Sequence, residues 1–129
     1  MTNESAEKYK AQSIHYLENA FSALGAGDPE KAGEFLWGSL AQALKAVAAS
    51  KEIELRSHWD IADYAKELAR ELEDKSIFDV FGHASYLHSN FYEAGLRMED
   101  VEIYAEEIRE MVRKLLDLIP TEQHDQGCS

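Results

Sequence analysis

The chain has 129 residues, 45% of them hydrophobic, and thirteen basic against twenty-five acidic side chains give it a formal charge of −12. A chain of this length buries about two thirds of its unfolded surface in one compact domain, which leaves no room for a second. The charge repels phosphate backbones and argues against non-specific nucleic-acid binding, the short apolar runs argue against a membrane span, and the lone Cys128 can build neither a disulfide framework nor a cysteine metal site.

Five helices are predicted in chain order. The first runs from about Asn3 to Leu24, carries Ile14, Leu17, Phe21 and Leu24 as its inward stripe, and stops at Gly25-Ala26-Gly27. Asp28-Pro29 supplies an N-cap and a proline at the first helical position, launching a second helix to about Ser50 with Leu36, Leu40, Leu44 and Val47 inward. Ser57-His58-Trp59-Asp60 has the form of a capping box and starts the third, whose stripe is Ile61, Ala65, Leu68 and Leu72. The same device recurs at Ser76-Ile77-Phe78-Asp79, and the fourth helix follows with Ile77, Val80, Ala84, Leu87, Phe91 and Ala94, ending at Gly95. The fifth carries Val101, Tyr104, Ile108, Met111, Leu115 and Leu118, with Arg113 and Lys114 near its end and Pro120 as the stop.

Only Glu52 to Arg56, with Ile53 and Leu55 alternating, hints at an extended segment, and five residues make no sheet alone. Short linkers favour antiparallel neighbours, so the expected fold is all-α, an antiparallel up-and-down bundle of about five helices over residues 1–119, with 120–129 as a disordered tail. The Gly27-Asp28-Pro29-Glu30-Lys31-Ala32 turn resembles the corner of a helical-hairpin repeat but occurs once, and a solenoid needs three. The opening Met1-Thr2-Asn3-Glu4-Ser5 has neither the basic flank nor the apolar core of a signal peptide, so a cytoplasmic location is expected.

Most familiar chemistries lack their motifs. No histidine has Glu three residues before it, so the Glu-x-x-His pairs of a di-iron bundle are missing, as are His-Glu-x-x-His and Gly-x-Ser-x-Gly. His83 and His88 stand about 140° apart around a helix and splay. No cofactor is expected, and a metal held by His58, His88 and a distant Glu is a minor alternative.

Two phrases remain unexplained by bulk packing. Gly33-Glu34-Phe35-Leu36-Trp37-Gly38 opens an alanine-rich helix, and each interior glycine costs about 1 kcal/mol relative to alanine, so a close approach by another helix or a ligand is the expected compensation. That thin helix is expected at the centre of the bundle or of a dimer interface, with Trp37 as core packing. Leu87-His88-Ser89-Asn90-Phe91-Tyr92-Glu93 places polar residues inside an apolar helix. One reading has His88 hydrogen-bonded to a neighbouring helix and Asn90 capping a loop or facing water; the other has both lining a pocket with His58, Arg56 and Tyr92. The second is helped by Lys45, Lys51, Arg56, Ser57 and His58, where cations and the free N–H groups of a helix start form the local recipe for anion binding. Lys45, Arg56, Ser57, His58, His88, Asn90 and Tyr92 are therefore the candidate ligand-binding residues.

Ala32 to Gly38 running into Ala43-Leu44-Lys45-Ala46, then Ser57-His58, then Leu87 to Tyr92, resembles the archaeal PaREP1 family, a group similar to the HEPN helical bundles. The resemblance spans roughly residues 5 to 119. It implies a four- or five-helix up-and-down bundle, often dimeric, of poorly defined function. HEPN relatives include nucleotide-associated partners of small nucleotidyltransferases and toxin ribonucleases. The ribonucleases carry Arg, four to six residues, then His; here no arginine stands at that distance before a histidine, and Lys10 to His15 imitates the spacing with lysine for arginine. The expected function is a non-enzymatic HEPN-like interaction or small-anion or nucleotide-binding module, with a HEPN-type ribonuclease or toxin–antitoxin component as the alternative. The expected partners are a second copy of the chain, another protein, or a small anion. The fifth helix, with apolar residues at 101, 104, 105, 108, 111, 112, 115, 116, 118 and 119, is wider than one seam needs, which favours a two-fold dimer.

Overall fold

The computed structural model describes residues 4–89 and 96–120. Five helices, α1 (Glu4–Gly25), α2 (Pro29–Ser50), α3 (His58–Glu71), α4 (Ser76–Ser89) and α5 (Met98–Leu116), form an all-α bundle, and no strand occurs among the described residues. The expected continuation of α4 to Ala94 and the stop at Gly95 lie outside the described residues, as does the tail from 121 onward.

The start of α2 is built as its sequence requires. Gly27 takes a positive φ of 75°, the chain reverses, and the Asp28 carboxylate accepts a hydrogen bond from Lys31 N–H at 3.1 Å, with Pro29 behind it. Leu36, Leu40, Leu44 and Val47 are all fully buried, and α2 touches each of the other four helices. Both unusual glycines are explained by contacts within the chain. A Cβ on Gly33 would lie 3.0 Å from Leu96 Cδ1 and 3.5 Å from Leu87 Cβ, and one on Gly38 would lie 2.9 Å from the Tyr16 ring.

The seam between α1 and α2 differs from the expected stripe. The buried positions of α1 are Ala6, Ser13, Ala20 and Ala23, whereas Ile14 is 40% exposed and Leu17, Phe21 and Leu24 pack along the edge. The small face of α2 admits the backbone of α1 closely, and that closeness selects small residues from both helices. Ser13 and Ser39 then meet in the dry seam: Ser13 O–H donates to the Ser39 carbonyl at 2.7 Å and Ser39 O–H returns to the Ser13 carbonyl at 2.8 Å. Each buried hydroxyl is thereby satisfied without water.

Three of the junctions reverse the chain: contacts run in opposite order along the two helices at Tyr9/Lys45 and Tyr16/Phe35 for α1/α2, His58/Phe81 and Lys66/Phe78 for α3/α4, and His83/Glu107 and Tyr86/Tyr104 for α4/α5. The segment 51–57 does something else. Lys51, the residue closing α2, pairs with Glu71 at the end of α3, while His58 at the start of α3 stacks on Trp37 far back along α2. The chain therefore returns along the bundle before α3 begins, and α3 runs in the same direction as α2. Lys51 and Glu52 turn the chain, their N–H groups bonding back to Ala48 and Ala49, and the five residues 53–57 then reach about 17 Å when extended, most of the roughly 21 Å length of a 14-residue helix. The alternation in Glu52 to Arg56 marks this return: Leu55 is buried beneath it and Ile53 is left 43% exposed.

The capping box at Ser57 is present, with Ser57 Oγ accepting from Asp60 N–H and Asp60 accepting from Ser57 N–H. The one expected at Ser76/Asp79 is not the bond that forms. Asp74 takes that role, accepting from Ser76 N–H at 3.1 Å and Ser76 O–H at 2.6 Å, because Lys114 of α5 draws its carboxylate onto the start of α4. On α3, Leu72 proves to be the 40% exposed C-cap rather than a core position. On α5, Tyr104 sits at the edge of the stripe and Leu118, beyond the helix end, is 40% exposed, while Ala105, Val112, Leu116 and Ile119 are buried instead. Most of the apolar width of α5 is thus consumed inside one chain, against α2, α4 and α1, while Ile103 stays 67% exposed.

Candidate functional site

The return of 51–57 has one chemical consequence: it carries His58 to the side of Trp37. The imidazole of His58 stacks on the Trp37 indole with ring centres 5.1 Å apart and planes 30° apart. His88, arriving from α4, stacks on the same indole at 5.2 Å and 24°. Phe81 meets Trp37 edge-on at 5.5 Å and closes the group against the core. Three helices therefore converge on one indole, which is half-buried itself while both imidazoles face outward.

The platform has an anchor and a rim. Glu34 stands one turn before Trp37 on α2, and its carboxylate is 3.1 Å from His88 Nδ1, so α2 supplies both the stacking surface and the hydrogen-bond partner of one histidine. His58 is the first residue of α3, fixed by the Ser57 capping box. Beside it Trp59 is 75% exposed, edge-on to His58 at 6.1 Å, and Phe78, 39% exposed, stacks on Phe81 at 6.2 Å with the Lys66 ammonium 5.5 Å over its ring.

The candidate residues divide clearly. His58 and His88 come together, with Ser57 directly behind His58. Lys45 does not join them: it lies on the α1 side, its ammonium 5.7 Å over the Tyr9 ring, because eight residues along α2 carry it about 12 Å along the axis and about 80° round from Trp37. Arg56 points to Glu54 at 3.0 Å, and Lys51 pairs with Glu71 at 3.7 Å. The N–H groups of Arg56 and Ser57 are taken by Asp60, at 2.8 and 3.2 Å, and these bonds hold its carboxyl below its ordinary value. The recipe for an anion site is filled by the chain's own carboxylates. Asn90 and Tyr92 lie outside the described residues.

His83 and His88 splay as their spacing requires. His83 faces α5, where Nδ1 is 2.5 Å from a Glu107 oxygen and the ring stacks on Tyr104 at 5.1 Å. No three His, Cys, Asp or Glu side chains among the described residues converge as metal ligands would. Glu34, Trp59 and Phe81 are parts of the platform that sequence reasoning missed. For Glu34 a signal existed, its spacing of three from Trp37; the contacts of the others join separate helices and have no local signature.

A model of the archaeal PaREP1/PaREP8 family matches residues 8–112. The chain belongs to that family. The matched span contains the whole Trp37, His58 and His88 platform. This PaREP1/PaREP8 chain is also similar to a protein of known crystal structure from Sulfolobus solfataricus, at 20% identity and a TM-score of 0.75, covering 84% of this chain and 97% of the other. At that identity the likeness concerns the fold. No curated protein matches the chain. No described helix is long and apolar enough to cross a membrane.

Proposed function

We propose that this PaREP1/PaREP8 chain is a non-catalytic, HEPN-like interaction module of the cytoplasm that docks a second copy of itself through the aromatic face around Trp37, His58, Trp59, Phe78 and His88. The observation that carries this reading is the exposed Trp59 beside two imidazoles held on one indole: an apolar, polarisable surface that the core does not need. Choice of a second copy follows from charge. Two chains each carrying −12 repel over most of their surface. Along this face α3 presents Trp59, Lys66 and Arg70, which share one side at spacings of seven and eleven residues, so like-charged copies approach here at least cost. The small residues of α2 and most apolar residues of α5 are buried within the protomer, and Trp59 is the most exposed large apolar side chain among the described residues. A small-anion role draws less support, because the nearby cations are already held by Glu54 and Glu71.

Light scattering at micromolar concentration tests the proposal. The parent is expected to show twice the protomer mass, and a Trp59→Ser, Phe78→Ser double variant the protomer mass with unchanged helicity. A parent that is monomeric across salt conditions, or a double variant that stays dimeric, overturns it.

A further inference from the structure

A groove of about 380 Å³, within the range of ligand sites, lies between Lys8, Tyr9, Gln12 and Tyr16 of α1 and Gln42 of α2. No carboxylate lines it, although the chain carries twenty-five acidic side chains. Contacts across the seam divide the groove into rungs. At one end the Lys45 ammonium of α2 sits 5.7 Å over the Tyr9 ring; at the other the Tyr16 ring lies against Gly38, which has no side chain to fill the space. Gln12 and Gln42 fall between these rungs, one on each wall. The seven residues from Tyr9 to Tyr16 set the outer rungs about 10 Å apart. Lys8 and Lys45 therefore bring two ammonium groups to one end, and neither pairs with a carboxylate among the described residues. Lys51 and Lys114, by contrast, are held by Glu71 and Asp74. The carboxamides of Gln12 and Gln42 likewise make no hydrogen bond to another described residue.

We infer that this groove binds an extended acidic peptide segment of a partner protein, about three residues long, the number that spans the rungs. Its carboxylates meet Lys8 and Lys45 in charge-assisted hydrogen bonds. A peptide group carries its N–H on one edge and its carbonyl on the opposite edge, so carboxamides on facing walls, each with a donor and an acceptor, hold it from both sides. At the far rung an aromatic side chain lies against Tyr16 in the space that Gly38 leaves. Charge favours the same occupant: an acidic segment is repelled by most of a surface carrying −12 and is drawn to the groove without carboxylates. A nucleotide fits less well, because a base presents its donors and acceptors side by side along one edge, which amides on opposite walls do not match.

The test is titration of the nitrogen-15-labelled full chain with acetyl-Phe-Ala-Glu, its terminal carboxyl free, in about 0.15 M salt, where diffuse surface attraction is screened. Saturable shifts of the Gln12 and Gln42 side-chain amides, with one peptide bound per chain, are expected. Lys8→Met with Lys45→Met should weaken binding about tenfold or more, and Gln42→Leu about threefold or more, each with unchanged helicity. Lys31→Met with Lys75→Met removes the same charge outside the groove and should leave affinity within about twofold. The neutral analogue acetyl-Phe-Ala-Gln amide should bind about tenfold more weakly or worse. Absence of saturable shifts, equal weakening by the two lysine pairs, equal affinity for the neutral analogue, or tighter binding of adenosine monophosphate at the same amides would overturn the inference.

Discussion

His88 shows how exposure decides what a polar contact is worth. Its bond to Glu34 links two helices, but the side chains are 44% and 37% exposed, so water can replace either partner. The stack on Trp37 is harder to replace, since an aromatic pair contributes roughly 0.5–1.5 kcal/mol beyond its buried area. We therefore expect His88→Ala to lower stability by about 1 kcal/mol, His88→Phe to recover most of that, and Glu34→Gln to be close to neutral. Denaturant midpoints at constant slope measure all three. A loss above about 2 kcal/mol shared by His88→Ala and His88→Phe would show that the hydrogen bond dominates, as expected of a buried network. From sequence the two readings of His88 could not be separated, because burial at an isolated polar position is set by the helices around it.

At the scale of elements, the start of α4 depends on a residue from α5. Asp74 accepts from Ser76 and is drawn in by Lys114, whose hydrogen bond is the largest cause holding the Asp74 carboxyl at about 2 against an ordinary 3.8. A carboxyl lowered on folding stabilises the native state in full above its unfolded value, and the stabilisation disappears as pH falls through the folded one. The parent's advantage over Asp74→Asn in denaturant midpoint should thus be constant near neutrality, shrink as pH falls below about 4, and vanish below about 2. Lys114→Met should reproduce the pattern, and a pH-independent difference would contradict it. Ser57 and Ser76 present the same sequence pattern and yet differ, because only Ser76 has a competing carboxylate two residues earlier that a distant lysine holds in place.

For the whole molecule, the question is whether anything in the fold restores a catalytic site that the motifs lack. His58 and His88 do converge, but the arginine closest to His58 in sequence is paired with Glu54 and carries no partner for a scissile phosphate. Ribonuclease activity on single-stranded RNA is expected to be indistinguishable from that of a His58→Ala, His88→Ala double variant. Cleavage present in the parent and lost in the variant would replace the non-catalytic reading with a ribonuclease.

The number of helices, their caps at Asp28 and Ser57, and the core stripe of α2 were legible because they rest on local rules: periodicity of 3.6, side-chain oxygens near helix starts, and glycine or proline at stops. The phrases around Trp37, Ser57-His58 and His88 also pointed to the family and to the two histidines that meet. Sequence could not tell that α1 packs through Ala6, Ser13, Ala20 and Ala23, since large and small apolar residues obey the same period and the distance between helix axes selects between them. It could not tell that residues 51–57 run back along α2. That choice is made by Leu55 finding a buried seat and Lys51 finding Glu71, contacts between residues far apart in the chain. The stacking of His58 on Trp37 follows from it, so the surface available for function was decided by tertiary packing.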